Sequence, residues 1–196
     1  MREQQSGTKR IEVITYKKLS LGYVEKMDIA AHIKNVPNFP VQGIIFKDIT
    51  PLFQVPEAFN FVVDSMGDHV KAKKAEAIMA IEARGFIFGS VIAARLNLPF
   101  VPARKPGKLP RDSYEAKYAL EYGEDALHVH KDAIRPGQKV AIIDDLLATG
   151  GTMAAACALV EQLKGQTVAL AVVIELKDLN GRQMLPQHDI FSLLSY

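Results

Sequence analysis

The chain has 196 residues, 48% hydrophobic and 23% charged, which is enough for one globular domain with a single large core. Its net charge of +2 excludes a bulk polyelectrolyte, so any electrostatic recognition has to be local. One cysteine, Cys157, excludes an intrachain disulfide, and no apolar run approaches the roughly 18 residues of a membrane span, so a cytoplasmic setting without membrane contact is expected.

Residues 1–26 start polar, pass through 11–16 as a short strand, and read as an appendage. A helical pattern opens at Met27, with Ile29 and Ile33 on one face of 28–34, and Pro37 ends it. Residues 43–46 form a short apolar strand before the turn-rich 47–51. Phe61, Val62, Met66 and Val70 then recur at helical spacing within 57–73. A buried strand at 77–81, a helix at 85–96 and a third strand at 98–103 follow. The Pro- and Lys-rich stretch to Lys117 reads as a mobile loop, flanked by antiparallel strands within 118–129.

Further along, the apolar run from Val140 meets Asp144 and Asp145, then the small loop Ala148-Thr149-Gly150-Gly151-Thr152, then the helix former Met153 and its Ala-rich successors. Another strand occupies 167–176. Strands alternating with helices predict an α/β fold: a mainly parallel twisted sheet with helices on both faces. Ligands of such sheets sit at the carboxyl ends of the strands, where Glu82, Arg104 and Asp144 all fall.

The order strand, acid pair, glycine loop, helix carries the chemistry. Gly150 and Gly151 let backbone N–H groups turn towards an anion where a helix starts, and the helix dipole adds to the attraction. Asp144 and Asp145 stand too close to that anion to bind it themselves, so they face ribose hydroxyls or a metal ion. A sugar phosphate satisfies both halves. The loop is neither a Walker P-loop nor a dinucleotide fingerprint. Alone, a Gly-Gly turn is more often an ordinary strand-loop-helix unit with solvated acids. His128 and His130 share a strand face without a third ligand at zinc spacing, and no nucleophile elbow occurs.

At these residues the chain resembles the type I phosphoribosyltransferases, whose loop for phosphoribosyl pyrophosphate (PRPP) joins two acids to a Thr-Gly-x-Thr turn. Five motifs in order, at 39–52, 82–89, 104–110, 120–123 and the acid-pair loop, resemble the adenine-specific branch of that family, and the match runs on to 191–194. The resemblance implies transfer of the phosphoribosyl group to N9 of adenine, giving AMP and pyrophosphate with Mg²⁺, in a homodimer of purine salvage. It also implies a small hood over the sheet and a flexible antiparallel lid at about 104–122. A start at Met27 leaves a chain of ordinary family length, so 27–196 is expected to be the single catalytic domain and 1–26 dispensable.

Carried onto this sequence, Asp144 and Asp145 hold the ribose hydroxyls while Ala148, Thr149, Gly150, Gly151 and Thr152 wrap the 5′-phosphate. Arg84, at a strand-to-helix turn, is the first choice for pyrophosphate, unless it lies in solvent or pairs with Glu82. Arg104, Lys105 and Lys108 belong to a basic cluster with Arg111, and are pyrophosphate ligands or loop anchors for their own site or a neighbour's. Few aromatic residues lie near that cluster and no nucleic-acid motif occurs, so nucleic acid is not expected.

An incoming purine has to lose a proton, and relatives acting on 6-oxopurines carry an Asp where this chain has Ala148. Glu121, followed by Tyr122, is the family-matched base, against the alternative of a surface strand glutamate. Ile45 and Phe46 either sandwich the adenine ring or pack in the core, with Leu146 on the other face. Lys47 stands where the family often has Arg. Mg²⁺ is expected to be held mainly by PRPP, pyrophosphate and water, with no dedicated metal residues. The rival expectations are a regulator that senses PRPP or purines, a transferase for another base, and an unrelated sugar-phosphate enzyme sharing only the loop.

Overall fold

The computed structural model describes residues 17–18, 24–25, 27–119 and 124–196. The strand expected at 11–16 and the residues Glu121 and Tyr122 therefore lie outside the described residues. In chain order come an antiparallel pair, β1 (Lys17–Lys18) and β2 (Val24–Glu25), a 3-10 turn at Ile29–His32, and a second antiparallel pair, β3 (Lys34–Pro37) and β4 (Ile45–Asp48). A 3-10 turn at Thr50–Gln54 leads into α1 (Pro56–Ala72), β5 (Ala77–Ile81), α2 (Gly85–Leu96) and β6 (Phe100–Ala103). β7 (Ser113–Ala119) and β8 (Glu124–His130) form an antiparallel arm. The chain finishes with β9 (Lys139–Leu147), α3 (Gly151–Gln162), β10 (Gln166–Glu175), two 3-10 turns at Lys177–Leu179 and Gly181–Met184, and β11 (Ile190–Ser195).

Five strands make one parallel sheet in the order β11-β10-β9-β5-β6. From β5 the chain crosses through α2 to β6 on one side, and from β9 it crosses through α3 to β10 on the other. The strand order thus reverses between β5 and β9, which opens a crevice at their carboxyl ends. Alternation along these strands feeds two cores. Ile78, Ala80, Ala141 and Ile143 point to the face covered by α1 and α2, while Met79, Ile81, Val140 and Ile142 join α3 and the arm on the other face. Each such isoleucine, removed from water, contributes roughly 1.5–3 kcal/mol, which is what holds charged residues at the strand's end in place.

Two expectations are corrected. The helix at 28–34 is only the turn Ile29–His32, capped by Asp28 Oδ1, which accepts from the Ala31 N–H at 3.3 Å. Ile29 and Ile33 are buried as their spacing predicts, but Lys34 onward finds a ladder partner in β4, and an exposed extended pair wins over a short helix running into Pro37. The arm's first strand begins at Ser113, not at Tyr118, because every residue from Ser113 to Ala119 pairs with one from His130 to Glu124. Ala116 and Tyr118 are buried from that strand while Glu115 and Lys117 stay exposed, a period of two that the Pro- and Lys-rich lead-in masked. Among the described residues, no helix is long and apolar enough to cross a membrane.

Candidate active site

The crevice contains a cavity of about 380 Å³, bounded by residues 81–84 at the end of β5, by 144–153 from the last residues of β9 into the start of α3, and by Lys105 and Tyr118. On the β9 side the buried run ends at Asp144, whose Oδ1 accepts the Asp145 N–H at 2.9 Å. Asp145 is 6% exposed and takes a hydrogen bond from Arg84 Nε at 2.5 Å. Burial first, and the neighbouring Asp145 charge second, hold the Asp144 carboxyl well above the usual carboxylate range. A Cβ on Gly85 would lie 2.9 Å from Asp144 Oδ1 and from the Ile143 carbonyl, so only glycine lets α2 start this close to the acid pair.

The loop then closes on α3. Gly150 is the N-cap residue at φ 89, and no side chain caps the helix. The first N–H groups of a helix have no partner inside it, and Gly151, Thr152 and Met153, the first residues of α3, line the cavity. Gly150 also presses on the Gly181–Met184 turn: a Cβ there would sit 2.4 Å from the Gly181 carbonyl oxygen. The arrangement suits an anion: a helix start with fixed backbone dipoles and no side-chain cap.

The opposite wall is cationic, and each cation there has an acidic partner. Arg104 donates from Nε and Nη2 to the two Glu82 oxygens at 3.2 and 3.1 Å, and the Lys105 N–H donates to Glu82 at 2.9 Å. These contacts, led by the Arg104 hydrogen bonds, hold the Glu82 carboxyl below its ordinary value. Lys105 Nζ donates to Asp125 and Tyr118 Oη. Burial alone would lower the Lys105 ammonium, but those two partners outweigh it and raise it above its ordinary value. Arg84 is the third cation, paired with Asp145 rather than with Glu82 or solvent. Lys108 is exposed; its N–H donates to the Lys105 carbonyl at 3.3 Å and its own carbonyl accepts from Arg104 Nη1 at 3.2 Å, so it shapes the turn without bordering the cavity.

The β3–β4 pair reaches the same edge through Phe46. The Arg84 guanidinium lies 5.4 Å from the centroid of the Phe46 ring, which Phe39 meets edge-on at 5.2 Å. Ile45 is 58% exposed, so it is not a core residue. Leu146 lines the cavity. Lys47 does not: alternation along β4 turns it the other way, with Nζ donating to Asn35 Oδ1 at 2.8 Å and 3.9 Å from the centroid of the Tyr196 ring. The structure therefore brings together Arg84, Lys105, Asp144, Asp145, Leu146 and the 148–152 loop, places Phe46 and Arg104 beside them, and leaves Lys47 and Lys108 outside. Among the described residues, no group of three or more His, Cys, Asp or Glu side chains is placed to hold a metal ion.

Sequence reasoning missed Tyr118, Asp125 and Gly181. A period of two from Ser113 would have put Tyr118 inward with Ala116, but Asp125 and Gly181 depend on contacts between distant segments.

Comparison with known proteins agrees with this geometry. The sequence model for the phosphoribosyl transferase domain matches residues 56–195. The adenine phosphoribosyltransferase of Halothermothrix orenii is 49% identical over 168 residues, covering 86% of this chain and 99% of its own length. That of Clostridium acetobutylicum is 50% identical over 170 residues, covering 87% of this chain and 99% of its own. Among solved structures, adenine phosphoribosyltransferase from Thermoanaerobacter pseudethanolicus has a TM-score of 0.83 at 47% identity, covering 86% of this chain and 98% of that one. The Saccharomyces cerevisiae enzyme, solved with an imino-altritol bisphosphate and adenine, has a TM-score of 0.81 at 40% identity, covering 85% and 96%.

Proposed function

The chain belongs to the adenine phosphoribosyltransferases, and from that premise we propose that it joins adenine to PRPP, giving AMP and pyrophosphate in purine salvage. The observation that carries this reading is the cavity at the strand-order reversal, with two carboxylates on one side of an uncapped helix start and three cations opposite. Purified protein incubated with PRPP, Mg²⁺ and each of adenine, guanine, hypoxanthine, xanthine and orotate should form a nucleotide with adenine alone. Turnover of another base in preference to adenine, or none at all, would overturn it.

In this proposal the Gly151, Thr152 and Met153 amides hold the 5′-phosphate, and Asp144 and Asp145 accept from the 2′ and 3′ hydroxyls. The C1–O bond to pyrophosphate breaks with its electron pair leaving on the pyrophosphate oxygen, while positive charge spreads over the ribose ring. Arg84 and Lys105 stabilise the departing anion, an electrostatic contribution that grows as water is excluded. Adenine N9 bonds to C1 and its proton passes to the Glu121 carboxylate, which the sequence places between the arm's two strands.

Phe46 on one side and Leu146 on the other bracket the base, and Ile45, whose side chain alternation turns to the face of Lys47, is assigned to the base edge through its backbone. Lys47 is not assigned to it, since its ammonium is engaged by Asn35. Mg²⁺ would be held mainly by oxygens of PRPP or pyrophosphate and by water, and the Asp144 and Asp145 oxygens on the ribose side of the cavity are compatible with such a hard cation. Such an ion would supply positive charge to offset the anionic charge of PRPP and of the leaving pyrophosphate.

The same reading proposes residues 27–196 as the catalytic domain, in a homodimer, with 1–26 dispensable. Relatives are covered over 99% of their length by 168–171 residues of this chain. A truncated protein starting at Met27 should keep the activity of the full chain, and a folded but inactive product would reject that boundary.

A further inference from the structure

β10 ends at Glu175, which is 5% exposed although it carries a carboxylate. Its oxygens accept from Arg182 Nε and Nη2 at 2.7 and 2.8 Å, and Ser192 Oγ donates to Oε2 at 2.9 Å. Arg182 Nη1 donates to the Ile190 carbonyl at 3.1 Å, and Nη2 lies 3.3 Å from Ser192 Oγ. One guanidinium thus ties the Gly181–Met184 turn to the ends of β10 and β11. The Arg182 hydrogen bonds hold the Glu175 carboxyl below its ordinary value, so the pair stays charged at neutral pH.

What the turn supports is the phosphate loop. Gly181 is buried, and a Cβ on it would lie 2.3 Å from the Ala148 carbonyl oxygen and 3.1 Å from the Gly150 nitrogen. From the other side, a Cβ on Gly150 would lie 2.4 Å from the Gly181 carbonyl oxygen. Two stretches of backbone are in contact with no side chain between them, so any displacement of the turn is passed to 148–150. Arg182 and Glu175 do not border the cavity themselves.

Resting on the function proposed above, we infer that Arg182, clamped by Glu175 and Ser192, is a positioning residue that fixes the amides of 148–152 for the substrate's 5′-phosphate through the Gly181 backbone. A planar five-donor group suits the task because it satisfies three acceptors at fixed angles, which a lysine ammonium does not. An ion pair whose arginine is half exposed adds little net stability, so its contribution lies in the geometry it imposes.

Two variants test this. Arg182→Lys keeps a charge beside Glu175 but loses the fork, and Gly181→Ala pushes a methyl group against the Ala148 carbonyl. For both, the KM for PRPP should rise on the order of tenfold, the loss expected for one hydrogen bond to the phosphate, with kcat and the KM for adenine within about twofold of the native protein. Should Arg182→Lys not fold, Gly181→Ala and Ser192→Ala carry the test. An unchanged KM for PRPP, or a KM for adenine that rises in parallel, would overturn the inference. If the native protein forms no AMP, the proposed function fails instead, and calorimetric affinity for ribose 5-phosphate in the same proteins then decides the positioning role by the same criterion.

Discussion

The two walls of the cavity are built differently. On the 148–152 side the donors are backbone amides at a helix start, without a capping side chain, held from behind by the 181–184 turn. On the 82–105 side the donors are long side chains, and Arg84, Arg104 and Lys105 each bind a carboxylate of the protein itself. Under the proposed function, a phosphate entering the first wall would break no side-chain cap of the helix. Pyrophosphate at the second would compete with existing ion pairs, and because Arg84 is bonded to Asp145, pyrophosphate capture and ribose capture would, under the same proposal, draw on the same contact. Backbone supplies a fixed mould, whereas paired side chains supply charge that is exchanged as the ligand arrives.

Mutations that act on one wall at a time separate these roles. The largest effect is expected from the arm: Glu121→Gln should lower kcat roughly 10²–10⁴-fold with little change in the KM for PRPP, and unchanged steady-state turnover would remove Glu121 from the reaction. Next, Asp144→Asn combined with Asp145→Asn should weaken PRPP binding by about 1.5–3 kcal/mol for each charged hydrogen bond lost, measured by calorimetry. Affinity at the native level would detach the acid pair from the ribose.

On the moulded wall, Gly150→Ala forces a side chain into the left-handed region and against Gly181. It should cost about 1–3 kcal/mol in urea unfolding and raise the KM for PRPP more than that for adenine. Equal changes in both would mean that the loop serves folding alone.

The smallest effect concerns pH. The folded protein holds the Asp144 proton more tightly than the unfolded chain does, so stability falls as pH rises from the ordinary Asp value of 3.8 towards the elevated folded one. Asp144→Asn removes that loss and should raise Tm at neutral pH but not at pH 3. A Tm lowered equally at both would show that the carboxyl is simply structural.

Much of this was legible in the sequence where the signal was local. The run Val140–Ile143, the acid pair and the glycine turn form one contiguous stretch, and the structure places them as a strand end, a cavity edge and a helix start. Both faces of the sheet also followed from runs too apolar to be half-exposed. What escaped was pairing across distance. Arg84 reads as the pyrophosphate ligand, with solvent or Glu82, two residues away, as the alternatives; its partner within the chain is Asp145, sixty-one positions on, while Glu82 serves Arg104. The turn at 181–184 carried no motif, because its role lies in a backbone approach that only the folded chain creates. At 28–34 helical spacing was present, but spacing reports which residues are buried and not how far a helix extends, and a strand partner decided the rest.

The backbone bridge between Arg104 and His128, whose N–H groups donate to each other's carbonyls at 2.9 and 2.7 Å, lies just past β6, the outermost strand on its side of the sheet. An open strand margin is a template for stray chains, and this one is only four residues long with its downstream end already occupied. Trimming the hairpin would therefore bare an adhesive border in the same cut that takes away Glu121, and the shortened protein should aggregate as well as lose turnover.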